Sequence, residues 1–86
     1  MSEPLAVCFY YRDGCHLCEE MAARIHAGWP QLMDGMVWVD VDSNPEIRQK
    51  YGLKVPVLTR NDQVICEYQV DQAAMTVYFG AGSISV

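Results

Sequence analysis

Two cysteines in the segment Cys15-His16-Leu17-Cys18 are the residues best suited to chemistry in this chain. They are three positions apart, so on a helix they lie one turn apart on the same face, at a separation compatible with a disulfide. If Cys15 opens a helix, its sulfur faces unpaired backbone N–H groups and the positive end of the helix dipole. Both favour the thiolate over the thiol, so the pattern predicts a reversible dithiol/disulfide site.

The flanking residues predict the elements that position this motif. Residues 5–11 are an apolar run typical of a buried strand, Arg12-Asp13-Gly14 predicts a turn, and residues 19–26 predict a helix. Gly28-Trp29-Pro30 should end that helix, because glycine breaks it and proline cannot continue it. Six apolar side chains predict its buried face: Cys18, Ala22, Ile25 and Trp29, widened by Leu17 and Met21.

Three further segments predict strands, at residues 36–42, 55–59 and 64–68. The first of them alternates apolar and polar residues towards its end, which places it closer to an edge of the sheet. The polar residues 60–63 suit a tight hairpin between the last two strands.

Two further helices complete the expected architecture. Ser43-Asn44-Pro45 begins a short one, and Asp71 caps a last one that ends at Phe79. The expected buried residues of that last helix are Ala74, Val77 and Tyr78. The order β-α-β-α-β-β-α predicts an α/β fold with a four-stranded mixed sheet and helices on both faces. We expect a single domain over residues 1–80 and a flexible tail over residues 81–86.

Composition excludes several classes of function. The chain has 86 residues, 51% apolar and 20% charged, which indicates one small globular domain. Its apolar runs are far shorter than the roughly 20 residues of a membrane helix, and no signal-peptide pattern is present. We therefore expect a cytoplasmic protein without a membrane partner. The net charge of −5, with six scattered basic residues, argues against nucleic acid as a partner.

The other two cysteines, Cys8 and Cys66, lie inside apolar strand-like runs and are predicted to be small buried residues. A secreted scaffold with two disulfides is disfavoured, because the chain has a working apolar core. Structural zinc is disfavoured as well, because such sites usually show two paired ligand sets and this chain has one. No metal or bound cofactor is expected.

The order of elements, with Cys-x-x-Cys opening the first helix, resembles the thioredoxin superfamily. The chain is most similar to glutaredoxins and glutaredoxin-like proteins, up to about residue 79. Arg12-Asp13-Gly14-Cys15 is similar to the glutaredoxin lead-in, and Lys54-Val55-Pro56 to the Thr-Val-Pro of the family. The resemblance implies that Pro56 follows a cis peptide bond and lies against the cysteines. It also implies that the Val55 backbone offers an edge to an extended peptide or to glutathione.

The sequence departs from glutaredoxins at two places. His16-Leu17 stands between the cysteines where glutaredoxins commonly have Pro-Tyr. Gln69-Val70-Asp71 replaces their Gly-Gly segment before the last helix, and only Asp71 fits the acidic position there. The resemblance therefore implies that Asp71 is a substrate-binding residue. These departures leave the predicted fold intact and weaken the prediction that glutathione binds.

The leading hypothesis is a thiol–disulfide oxidoreductase in which Cys15 is the nucleophile and Cys18 the resolving thiol. Arg12 should lower the pKa of Cys15. His16 either stabilises the thiolate as an imidazolium or is simply an exposed residue at the helix start. Tyr11, at the end of the first strand, is expected to line the site. Three acidic side chains oppose the thiolate: Asp13, Glu19 and Glu20.

Two alternatives stay open. One is a non-catalytic binding module of thioredoxin fold that uses the Val55-Pro56 edge. The other is an iron–sulfur carrier, a dimer that shares a cluster through Cys15 by analogy with some glutaredoxins. For the oxidoreductase, the expected partners are protein or low-molecular-weight disulfides, with glutathione or a reductase as electron donor. A monomer is expected.

Overall fold

The computed structural model describes residues 6–80. The predictions that the first strand begins at Leu5 and that residues 81–86 form a flexible tail lie outside the described residues. The strands are β1 (Val7–Tyr11), β2 (Val37–Asp40), β3 (Val57–Arg60) and β4 (Gln63–Glu67). The α-helices are α1 (His16–Gly28), α2 (Pro45–Tyr51) and α3 (Gln72–Phe79). Short 3-10 helices lie at Pro30–Leu32 and Val41–Ser43. The predicted order β-α-β-α-β-β-α is confirmed.

The four strands form one mixed sheet in the order β2-β1-β3-β4. β1 is parallel to β2 and antiparallel to β3, and β3 is antiparallel to β4. β2 therefore lies at an edge, as its alternating sequence predicts, and it leaves Val37 and Trp38 about half exposed. The parallel register places Phe9 beside Trp38 and Tyr11 beside Asp40. The carboxyl ends of β1 and β2 thus lie side by side, at the end of the sheet where the cysteine motif begins.

Helices cover both faces of the sheet because successive strand residues point to opposite sides. Phe9 and Leu58 belong to the larger core cluster, which includes Met21 of α1 and Met75 of α3. Val57, next to Leu58, belongs instead to the smaller cluster of α2. The sheet with helices on both faces is therefore confirmed. Within residues 6–80, no helix has the length and apolar character needed to cross a membrane.

Three predicted burials are wrong. Val77 is 81% exposed, because the short α3 packs through Met75 and leaves the residue two positions on, about 200° around the helix, facing solvent. Leu17 is also 45% exposed, one position before the buried Cys18. Cys8 is only half-buried, because it points away from Phe9 towards the face that carries the seven-residue α2.

The third strand begins at Val57 rather than at Val55. Pro56 has no backbone N–H for a sheet ladder, so regular pairing starts after it. Its carbonyl oxygen accepts a hydrogen bond from the backbone N–H of Tyr68 at 2.8 Å. The peptide bond between Val55 and Pro56 is cis.

Candidate functional site

Cys15 and Cys18 lie at the junction of β1 and α1 and form a disulfide, with their Cα atoms 5.2 Å apart. The chain leaves β1 after Tyr11 and turns at Gly14, whose φ of 75° favours glycine. The backbone N–H of Cys15 donates to the Arg12 carbonyl oxygen at 3.2 Å, which closes the turn. The strand, turn and helix predicted from the sequence thus place the two sulfurs at one helix start.

Cys15 is the N-cap of α1, one position before the first helical residue. Its backbone is extended, and its Sγ accepts a hydrogen bond from the backbone N–H of Cys18 at 3.1 Å. Cys15 is half-buried, whereas Cys18 is only 4% exposed and packs in the larger core cluster. The first cysteine therefore meets solvent and the free N–H groups of the helix start, while the second lies behind it.

Arg12 does not point freely at the cysteines. Its Nε and Nη2 donate to the Asp42 carboxylate at 2.9 and 3.2 Å, and its Nη1 donates to the Gly52 carbonyl oxygen at 3.1 Å. The hydrogen bond between the two side chains raises the pKa of Arg12 and lowers the pKa of Asp42. Arg12 therefore ties the turn before Cys15 to the segments that follow β2 and α2, and a carboxylate offsets its positive charge.

His16 lies in solvent at the first position of α1, with 82% of its side chain exposed. Its Nε2 lies 2.7 Å from the Glu20 carboxylate, one turn along the helix. When His16 is protonated, it forms an ion pair with Glu20.

Val55 and Pro56 precede β3. Pro56 is buried, and Val55 is half-buried and packs against the same core cluster as Cys15. Val55 also contacts the smaller cluster under α2. The segment before β3 thus packs against both core clusters.

Tyr11 lines a cavity of about 210 Å³ beside the disulfide, together with Trp38, Cys15 and Cys18. The rings of Tyr11 and Trp38 meet edge to face, with their centroids 6.0 Å apart. Sequence reasoning missed Trp38, because its position beside Tyr11 depends on the register between β1 and β2, which no local pattern specifies.

Asp71 is the N-cap of α3, as predicted: its Oδ1 accepts a hydrogen bond from the Ala74 backbone N–H at 3.1 Å. It lines an opening between β4 and α3 whose lining residues do not include Cys15 or Cys18. The structure therefore assigns Asp71 a helix-capping contact and does not bring it into the cavity beside the disulfide.

The remaining cysteines are free thiols in the sheet. Cys66 is 2% exposed, and its Sγ accepts a hydrogen bond from the Asp71 backbone N–H at 3.3 Å. Burial raises the pKa of the Cys66 thiol. In the part of the chain that the structure describes, no three His, Cys, Asp or Glu residues are grouped so that they could hold a metal ion.

Comparison with known proteins gives a family and several similar structures. The family model of a glutaredoxin-like domain (DUF836) matches residues 6–78. Protein Ne2328 from Nitrosomonas europaea, solved by NMR, superposes with a TM-score of 0.72 at 30% identity, over 91% of this chain and 94% of that chain. Protein XcR50 from X. campestris superposes with a TM-score of 0.65 at 26% identity, over 91% of this chain and 100% of that chain.

A more distant structure shows the fold alone. The germline-specific thioredoxin Deadhead from Drosophila melanogaster superposes with a TM-score of 0.53 at 21% identity, over 86% of this chain and 76% of that chain. The α/β fold of thioredoxin type, expected from the order of elements, is thereby confirmed. No curated protein matches the sequence significantly.

Proposed function

This chain belongs to the family of glutaredoxin-like domains, and on that premise we propose that it is a thiol–disulfide oxidoreductase. The observation that carries the proposal is the disulfide between Cys15 and Cys18 at the start of α1. Its first sulfur is half-buried at a helix N-cap, and its second is buried one turn further in. A cysteine among the free N–H groups of a helix start is favoured as a thiolate, which is the attacking species in disulfide exchange.

The proposed reaction has two exchange steps. In the reduced protein, the Cys15 thiolate attacks one sulfur of a substrate disulfide, so that a Cys15–substrate disulfide forms and the other half leaves as a thiolate. Cys18 then gives up its proton and attacks the Cys15 sulfur, which releases the second half of the substrate as a thiolate. The Cys15–Cys18 disulfide forms as two electrons pass to the substrate. The Cα separation of 5.2 Å is within the range that a disulfide requires.

The proposal includes protein or low-molecular-weight disulfides as substrates, with the Val55-Pro56 segment receiving an extended peptide backbone. An external thiol must reduce the protein again, either two molecules of glutathione or the dithiol of a reductase. The free thiols of Cys8 and Cys66 suit a reducing compartment, and we propose the cytoplasm.

The side chains around the motif have different roles in this proposal. Arg12 acts as a positioning residue, because its contacts with Asp42 and Gly52 hold the turn that precedes Cys15. His16, paired with Glu20 in solvent, contributes a local charge only when it is protonated. Tyr11 forms part of the wall beside the disulfide.

Separate incubation of the oxidised protein with glutathione and with a thioredoxin-type reductase tests the function and identifies the electron donor. We expect one of them to open the bridge, measured as two new free thiols per chain, and to sustain turnover of bis(hydroxyethyl) disulfide. Cys8→Ser is the matched control, since Cys8 lies on β1 outside the motif, and it should keep turnover. A bridge that neither donor opens, or thiols that reduce no disulfide, would contradict the enzyme and favour a binding module.

A further inference from the structure

The cavity beside the disulfide is lined by apolar side chains that take no part in the proposed exchange steps. Its apolar lining comes from Phe9, Tyr11 and Trp38, and both Cys15 and Cys18 border it. A group seated in this cavity would therefore lie next to the sulfurs. Its volume of about 210 Å³ decides what such a group can be.

The volume of the cavity suits one large side chain. An apolar protein cavity of about 150 Å³ accommodates benzene, whereas sites for drug-sized ligands and cofactors usually occupy about 300–1,000 Å³. A phenyl or large aliphatic side chain would therefore fit beside the disulfide, and a complete cofactor would not.

Trp38 forms an aromatic wall of this cavity that is only partly buried. Its ring meets the Phe9 ring edge to face, with the centroids 4.9 Å apart, and the Tyr11 ring at 6.0 Å. Trp38 is nevertheless 46% exposed, because β2 is an edge strand. Further burial of this apolar surface by an incoming side chain would be favourable, and aromatic pairs add to that gain.

The charges at the mouth of the cavity indicate what accompanies the apolar side chain. Asp13 and Glu19 line the cavity, are exposed, and make no ion pair within residues 6–80. Arg12 lines it too, but the Asp42 carboxylate offsets its charge. The rim is therefore negative and complements a basic residue.

We propose that the cavity formed by Phe9, Tyr11, Trp38 and α1 is a specificity pocket for a protein or peptide disulfide, and that it takes an aromatic or large aliphatic side chain adjacent to the substrate cysteine. A basic residue close by in the substrate faces Asp13 and Glu19. This inference rests on the proposed oxidoreductase function and names the substrate class of that same site. It favours peptide disulfides over glutathione disulfide, which carries no large apolar side chain.

Short cysteine peptides in mixed disulfide with nitrothiobenzoate test this pocket on the unmodified protein. In the reduced protein the Cys15 thiolate attacks the peptide sulfur, the Cys15–peptide disulfide forms, and the nitrothiobenzoate leaves as a coloured thiolate because it is the more acidic thiol. Cys18 then attacks the Cys15 sulfur and releases the peptide as a thiolate, and the electron donor identified above returns the Cys15–Cys18 disulfide to the dithiol for the next turnover. We expect kcat/KM to be about tenfold or more higher for a peptide with Phe beside the cysteine than for one with Ala. Rates with dithiothreitol correct for the intrinsic reactivity of each peptide. Replacing a nearby Lys by Glu should lower kcat/KM, and added salt should reduce that difference.

Two alanines of α1 provide a matched pair of variants. Ala22 is half-buried and lines the cavity, whereas Ala23 is exposed and does not. Ala22→Leu fills the pocket, so the ratio of kcat/KM between the Phe and Ala peptides should fall towards one. Ala23→Leu adds the same side chain to the same helix and should keep the ratio of the original protein.

The outcomes distinguish failure of the specificity pocket from failure of the proposed oxidoreductase function. A protein that turns over neither these peptides nor bis(hydroxyethyl) disulfide contradicts the oxidoreductase itself. An active protein that treats the Phe and Ala peptides alike, or an Ala22→Leu variant that keeps the full ratio, overturns only the pocket. If Ala22→Leu fails to fold, the peptide series on the unmodified protein and the Trp38→Ala variant, which should also lose the ratio, decide the matter.

Discussion

Each α-helix within residues 6–80 begins with a side chain that accepts a backbone N–H, and α1 and α3 use different atoms for this hydrogen bond. At the start of α3 the Asp71 carboxylate accepts a backbone N–H at 3.1 Å, and at the start of α1 the Cys15 sulfur accepts one at 3.1 Å. Aspartate is among the best N-cap residues, whereas neutral sulfur is a weak acceptor. α1 therefore begins with the poorer cap, and in the proposed function that cap is the nucleophile.

Cys66 shows that a backbone hydrogen bond does not by itself make a sulfur reactive. Its Sγ also accepts an N–H, from Asp71 at 3.3 Å. Burial nevertheless raises the pKa of Cys66, because the ionised form is poorly solvated there. Cys15 combines a similar contact with partial exposure at a helix start. In the proposed function, access to solvent, added to backbone donors, distinguishes the reactive Cys15 from the packing residue Cys66.

The largest expected effect comes from a substitution at Cys15 that keeps the helix cap and removes the thiol. Serine is a good N-cap but a poor substitute for a thiolate, so Cys15→Ser should lower disulfide turnover by about a thousandfold or more. The reduced variant should be at least as stable to unfolding as the reduced original protein, because serine is the better cap. Cys15→Ala should lose turnover as well and should be about 1 kcal/mol less stable than Cys15→Ser in the reduced state, measured by urea denaturation. Substantial turnover by Cys15→Ser would remove Cys15 from the chemistry.

The next effect is the difference in alkylation between the two sulfurs. In the reduced protein, we expect iodoacetamide to modify Cys15 about a hundredfold faster than Cys66 at neutral pH, because Cys66 is buried and protonated. Peptide mapping by mass spectrometry measures both rates over a series of pH values. Unfolding in urea should make the two rates similar, which serves as the control. Equal rates in the folded protein would show that exposure does not distinguish them.

The order of elements and the disulfide motif could be predicted from local patterns, because strand, turn and helix signals lie beside Cys15 in the sequence. The hydrogen-bond partner of Arg12 could not be predicted from local patterns alone. Asp42 follows β2 and Arg12 follows β1, and they meet only because these strands are parallel neighbours in a definite register. The contact with the Gly52 carbonyl requires the end of α2 to lie beside the turn that follows β1, and no local pattern specifies that placement.

The cavity beside the disulfide could not be predicted for a related reason. Phe9, Tyr11 and Trp38 are ordinary strand residues in the sequence, and only the pairing of β1 with β2 brings their rings together. The exposure of Val77 was missed because a helix of eight residues has few positions from which to infer its buried face.

A moderate effect is expected from the cap of α3. Asp71→Ala removes the acceptor of the Ala74 N–H and should lower the free energy of unfolding by about 1 kcal/mol. Asp71→Asn keeps a side-chain oxygen at the cap and should change it by only a few tenths of a kcal/mol. Urea denaturation of both variants measures the difference. Equal losses in the two variants would indicate that the charge of Asp71, rather than its capping oxygen, stabilises α3.

The smallest expected effect is the pH dependence of stability that Cys66 contributes. Burial is the main cause that raises its pKa in the folded state. Below the usual thiol pKa of about 8.5, both the folded and unfolded chains hold the Cys66 proton, so its contribution to stability is fully present. As the pH rises through the raised folded pKa, that contribution is lost, because the unfolded chain releases the proton more readily.

Urea denaturation of the oxidised protein between about pH 8 and about pH 10 measures this slope, since Cys15 and Cys18 do not titrate while they are bridged. Burial likewise raises the pKa of Tyr10 to about 12, so Tyr10 lowers stability in the same direction above its ordinary value of 10.0. Comparing the original protein with Cys66→Ala cancels the contribution of Tyr10, because both proteins contain Tyr10. Cys66→Ala should be less stable throughout but should lose less stability as the pH rises. Parallel slopes would mean that the Cys66 thiol ionises as easily in the folded protein as in the unfolded chain, and the contrast with Cys15 would then depend on the helix start alone.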